Sequence, residues 1–228
     1  MRIPEPKPVS VSLPGGSTVS GLFQAAERPR AGLVLAHGAG AGMGHPFMAA
    51  VSLGLASRSV ACLRFQFPYM ERGAGRPDAP ESAQAAVRAA VAEAARLIPR
   101  LPLFAGGKSY GGRMTSQAQA QEPLPGVRGL VFLGFPLHPP GKPSVERAAH
   151  LSAVRVPMLF LQGTRDDFAA PDLLQPLVKG LADRATLHLF PDADHSFHVP
   201  ARSGRRDADV LAELLDRTGE WIAEQSAG

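Results

Sequence analysis

Hydrophobic and polar positions along this chain switch repeatedly between a period of two and a helical period. Val9, Val11 and Leu13 alternate with polar neighbours, Pro14-Gly15-Gly16 supplies a turn, and residues 17–23 resume an extended pattern. This predicts an antiparallel hairpin. Residues 31–38 then form a short apolar run closed by His37 and Gly38, and residues 59–67 read as another buried strand. Continuous apolar runs of this length suit strands buried on both faces. Between them, residues 45–57 read as a helix. Residues 82–98 are alanine-rich, with Val87, Val91, Leu97 and Ile98 at helical spacing, which predicts another. Further strands are expected over 101–107, 127–136, 156–163 and 185–190, and helices over 109–121, 171–183 and 207–223. The last of these puts Val210, Leu211, Leu214, Leu215, Trp221 and Ile222 on one face.

Strand and helix therefore alternate after an initial hairpin. That order predicts an α/β fold: a mostly parallel central sheet with helices on both faces. In such sheets ligands bind beyond the carboxyl ends of the strands. With 228 residues and no repeat, linker or low-complexity tract, residues 1–228 are expected to form one domain. The proline-rich stretch between Pro136 and Val156 is too short for a separate lid domain.

Composition narrows the function classes. Gly 24 and Pro 22 imply many turns. The lone Cys62 cannot form an internal disulfide, and no apolar run reaches the ~18 residues needed to cross a membrane. The first sixteen residues lack the apolar core of a signal peptide. A cytoplasmic location without membrane association is therefore expected. The net charge of +4 is mostly arginine spread along the chain, with Arg202, Arg205 and Arg206 the tightest group. No zinc-finger spacing or aromatic RNA-binding signature accompanies it, so no nucleic-acid partner is expected. Oligomeric state is left open.

The chemistry concentrates at residues 103–114, LFAGGKSYGGRM. Gly107-Lys108-Ser109 matches the end of a phosphate-binding P-loop, but that motif needs glycine where Pro102 stands, and the residues before Gly107 belong to a strand. Gly107, Ser109 and Gly111 also spell G-x-S-x-G between a strand and a helix, the arrangement of a nucleophile elbow. A nucleophilic serine needs a base and an orienting acid. Asp166, three residues past Gly163, and His195, in the loop after the last strand, follow in the order Ser, acid, His and end at the same sheet edge. Asp167 competes with Asp166 for the acid role. Other readings of these residues are a helix-capping turn serine, a surface histidine, or a metal site built on His195 and His198. The third lacks a further ligand pair. A dinucleotide loop is excluded at Gly38–Met43 because Met43 breaks the G-x-G-x-x-G register.

Together HGAGAGMGHPFM, LRFQFPYME, GGKSYGGRM, LQGTRDDF and DADHSF resemble the dienelactone-hydrolase-like branch of the α/β-hydrolase superfamily, in particular its small bacterial serine hydrolases. The resemblance runs from about residue 10 to residue 222 and favours Asp166 as the acid of a G-x-x-D turn. It implies an α/β-hydrolase fold with a minimal lid and an ester or related acyl bond of a small molecule as substrate. Dienelactone hydrolases proper use cysteine, so Ser109 argues against their substrate. Some relatives are interaction proteins, which leaves a catalytically idle scaffold as the rival reading, with thioesterase, peptidase or lipase as alternatives within the fold.

In the expected mechanism Ser109 attacks, His195 transfers the proton and Asp166 orients His195. The N–H of Tyr110 and that of Ala39, or Gly40 as second choice, form the oxyanion hole. No metal or organic cofactor is required. His37 is expected to shape the oxyanion loop, and His37 and His138 are candidate pocket residues. Lys108 is expected to point away from the pocket. Histidine's ordinary pKa near ~6.5 predicts activity that rises through neutral pH.

Overall fold

Six apolar residues in a row, Ala31–Ala36, form a strand buried along its whole length. Val60–Phe65 forms a second. Neither tolerates an exposed face, so both lie inside the sheet. The computed structural model describes residues 3–227. Its eight strands are β1 (Lys7–Ser12), β2 (Thr18–Gln24), β3 (Ala31–Ala36), β4 (Val60–Phe65), β5 (Leu103–Lys108), β6 (Val127–Leu133), β7 (Met158–Gly163) and β8 (Ala185–Phe190). They form one sheet in the order β1-β2-β4-β3-β5-β6-β7-β8. The predicted hairpin is present as the antiparallel β1–β2 pair, and β2 pairs antiparallel with β4. The pairings from β4 through β3 to β8 are parallel.

The helices are α1 (Pro46–Ala56), the single turn α2 (Pro68–Glu71), α3 (Pro80–Leu97), α4 (Tyr110–Gln121), α5 (Pro171–Gly180) and α6 (Asp207–Ala227). Proline opens α1, α2, α3 and α5, where its missing N–H has no intrahelical acceptor to lose. Two apolar clusters separate the layers. One joins α3, α4 and α5 to one face of the sheet, and the other joins α1 and α6 to the opposite face. On the α6 side, Trp221 meets Phe104 edge to face at 5.8 Å between centroids. Rings buried this way contribute roughly 1.5–3 kcal/mol each. The stretch after β6 contains no lid domain. It carries a short 3-10 segment, Glu146–Ala153, which the sequence pattern does not reveal. No described helix is long and apolar enough to cross a membrane.

Candidate active site

β5 ends at Lys108 and α4 begins at Tyr110, so Ser109 is the whole connection between them. Such a turn forces a rare backbone: Ser109 has φ 50° and ψ −116°. A non-glycine residue at positive φ is strained and persists where packing over-determines it. The flanking glycines supply that packing. A Cβ on Gly107 would lie 2.3 Å from the Ala36 carbonyl oxygen, and one on Gly111 2.4 Å from the same atom. The elbow can approach β3 this closely only where side chains are absent.

Three side chains meet at the carboxyl edge. The Ser109 Oγ is 2.8 Å from His195 Nε2, and His195 Nδ1 is 2.7 Å from Asp166 Oδ2. A carboxylate only accepts, so Nδ1 carries the proton and Nε2 presents its lone pair to the serine hydroxyl. Asp166 is buried, at 3% exposure, whereas its neighbour Asp167 is exposed. Asp166 also accepts from the Phe168 N–H at 2.8 Å and from Gln162 Nε2 at 2.5 Å. Gln162 in turn accepts from the Phe135 N–H at 2.8 Å, which ties the carboxylate to the ends of β6 and β7. Phe168 stacks on the imidazole, 4.4 Å between centroids. Gln162 and Phe168 stand at the two ends of the LQGTRDDF stretch, but nothing in it marks them as partners of the triad. The end of β7 and the turn after it bring them to the site.

Ser109 and His195 open into a cleft of about 340 Å³, walled by Ala39, Phe47, Met48 and Phe168 among others. The wall is largely apolar. Behind it, the glycine-rich loop after β3 is braced by the end of β4 and the segment that follows it. The Tyr69 hydroxyl accepts from the Gly40 N–H at 3.2 Å, Gln66 accepts from the Met43 N–H at 2.8 Å, and Arg64 donates to the Met43 carbonyl at 2.8 Å. Gly40 therefore has its amide committed to Tyr69, while Ala39 lines the cleft. At Tyr110, the first helical residue of α4, the N–H has no intrahelical acceptor.

Both candidate pocket histidines lie outside the cleft wall. His37 is buried, its Nδ1 donating to the Gly38 carbonyl at 2.8 Å and its Nε2 accepting from the Phe67 N–H at 3.1 Å. Burial lowers its pKa, in keeping with a neutral ring that braces the base of the loop. His138 is bound to the Pro139 carbonyl at 2.9 Å and the Ala170 N–H at 3.3 Å. It pins the loop after β6 to the start of α5. In each case the backbone occupies both ring nitrogens, which turns the ring away from the cleft. His198 turns to Asp207 at 2.8 Å. Lys108 also departs from expectation. It does not point away but lines the cleft, and its Nζ reaches beneath the histidine loop.

Fold and geometry together have the form of an α/β serine hydrolase. Residues 29–223 match the family model described as "Alpha/beta hydrolase domain", and the chain belongs to that family. Its class is hydrolase. Among solved structures it is similar to a lidless α/β serine hydrolase from Xanthomonas campestris, with 20% identity over 97% of each chain and a TM-score of 0.75. A dienelactone hydrolase from Anabaena variabilis matches at 20% identity over 98% of this chain and 99% of that one, TM-score 0.77. A cold-adapted esterase from an Arctic intertidal metagenomic library matches at 17% identity over 94% of this chain and 93% of that one, TM-score 0.69. At these identities the likeness is one of fold.

Proposed function

We propose that this protein is a serine esterase that cleaves an ester or related acyl bond of a small molecule through an acyl-enzyme. The observation that carries this reading is the continuous relay from Ser109 Oγ to His195 at 2.8 Å and from His195 to the buried Asp166 at 2.7 Å. His195 Nε2 takes the hydroxyl proton as Oγ bonds to the acyl carbon. Asp166 holds Nδ1–H and stabilises the imidazolium that forms. The N–H groups of Tyr110 and Ala39 receive the negative charge on the former carbonyl oxygen. Removing one such donor typically costs ~10²–10³ in rate. The imidazolium then gives its proton to the leaving alcohol as the C–O bond breaks. Water, deprotonated by His195, adds to the acyl carbon; the C–Oγ bond then breaks as the imidazolium returns the proton to Ser109 Oγ, and the carboxylic acid leaves.

The cleft of about 340 Å³ and its apolar wall suit a small acyl group rather than a polymer. The test is labelling with a fluorophosphonate, followed by turnover of p-nitrophenyl esters of increasing chain length and of a peptide amide. Modification on Ser109, lost in Ser109→Ala, with turnover of short esters reduced by on the order of 10⁵ or more in that variant, is the expected result. A purified protein that neither labels nor turns over any ester is a scaffold, and the esterase reading fails.

A further inference from the structure

Lys108 immediately precedes the serine, yet its side chain belongs to the histidine loop. Its Nζ donates to the His195 carbonyl oxygen at 2.5 Å and stands over the Phe197 ring, 5.5 Å from the centroid. The loop it grips is a self-contained turn. The Asp194 N–H donates to the His198 carbonyl at 2.9 Å, and Asp194 Oδ1 accepts from the N–H groups of Ser196 and His198 at 2.7 and 2.9 Å. Phe197, at φ 64°, closes the turn in a strained conformation. The turn thus has its own internal bonds and needs an outside anchor to fix where its imidazole sits relative to β5. At the end of β6, Gly134 makes room for both groups. A Cβ there would lie 3.0 Å from Lys108 Nζ and 3.4 Å from the His195 ring. The ammonium and the imidazole are therefore near neighbours.

We infer that Lys108 is a positioning residue that ties the imidazole-bearing loop to the nucleophile strand and so keeps His195 Nε2 within reach of Ser109 Oγ. The inference rests on the serine-esterase reading above. Two physical points support it. The ammonium donates to the carbonyl of the very residue that bears the imidazole, and a hydrogen bond from a charged donor is stronger than a neutral one. A methionine would fill the same space without the desolvation penalty that a part-buried cation carries, so packing alone does not call for lysine here. The charged groups facing the ammonium are Asp166 on the turn after β7 and Asp194 on the loop after β8. The two carboxylates hold its proton on, but burial outweighs them and pushes the lysine down to about 8. It is thus charged through neutral pH and titrates just above it.

The experiment measures the rate of fluorophosphonate labelling of Ser109 between about pH 5 and about pH 9.5 in wild type, Lys108→Met and Lys108→Arg. In Lys108→Met labelling is expected to slow by ~10-fold or more. Lys108→Arg, which keeps a charged donor across this range, is expected to recover most of that rate and to lack the fall above about pH 8 that wild type shows as Lys108 loses its proton. A Lys108→Met protein with the wild-type rate overturns the inference and leaves the esterase reading standing. A Lys108→Arg protein as slow as Lys108→Met overturns it too, because a charged donor at this position then restores nothing. Should Lys108→Met fail to fold, a fall above about pH 8 that persists in Lys108→Arg belongs to another group and overturns the inference. Wild-type protein that does not label at all overturns the esterase reading and this inference with it.

Discussion

Asp166 and Asp167 are chemically identical neighbours, and their surroundings separate them. Asp166 is buried with three hydrogen bonds converging on its carboxylate, from His195, Phe168 and Gln162, while Asp167 faces solvent. A carboxylate held this way fixes the imidazole tautomer, and an amide in its place does not. Asp166→Asn is expected to lower kcat by on the order of 10⁴, whereas Asp167→Asn stays within about 2-fold of wild type, both read from ester turnover. Gln162 acts on the same atom from behind, and its effect runs through the orientation of Asp166.

At the scale of elements, the β5–α4 elbow works because β3 lies against it. The Cβ that Gly111→Ala would add meets backbone first, with the carbonyl oxygens of Ala36 and His37 at 2.4 and 2.6 Å. Backbone cannot swing aside as a side chain can, so Gly111→Ala is expected to destabilise the fold by roughly 3 kcal/mol or more, measured by urea unfolding. On the outer face of α4, Ser116 Oγ meets His150 Nε2 of the 3-10 segment at 2.8 Å. Burial, reinforced by the nearby Arg113, pushes His150 down to about 4. Between about pH 6.5 and about pH 4 the unfolded chain therefore binds a proton that the native chain refuses, and stability falls as the pH drops through that window. His150→Gln is expected to flatten this slope, as seen in denaturant midpoints taken across the same range.

At the scale of the whole molecule, Lys108 bears on stability. Its pKa is lowered from 10.5 to about 8, so the native state carries a penalty of about 3 kcal/mol while the lysine is charged. The sign follows from proton counts. Between about pH 8 and about pH 10.5 the unfolded chain keeps a proton the native chain has lost, so stability contributed by this group rises with pH. Cys62, raised by burial to about 12, acts in the opposite sense at the alkaline end, but equally in wild type and variant. Lys108→Met is expected to be no less stable than wild type at neutral pH. The difference between the two should shrink as the pH rises from about 8 to about 10.5, read from paired unfolding curves.

Much of this architecture is legible in the chain itself. The six-residue apolar run of β3 and the apolar run of β4, broken by Arg64 alone, mark both as interior strands, the 82–98 periodicity marks α3, and G-x-S-x-G between strand and helix marks the elbow. These are local signals, because periodicity and turn chemistry depend on neighbours in sequence. The exchange of β3 and β4 in the sheet order, the single turn α2 and the 3-10 segment left no such mark. At the site, sequence supplied Ser109, Asp166 and His195 as residue types at strand ends. Only the tertiary structure decided that their atoms meet at 2.8 and 2.7 Å, and that Lys108 turns inward. It also committed His37 and His138 to the backbone instead of the cleft. A side chain's direction depends on which distant backbone offers it a partner or denies it room. That depends on how the strands line up across the sheet, which no window of neighbouring residues contains.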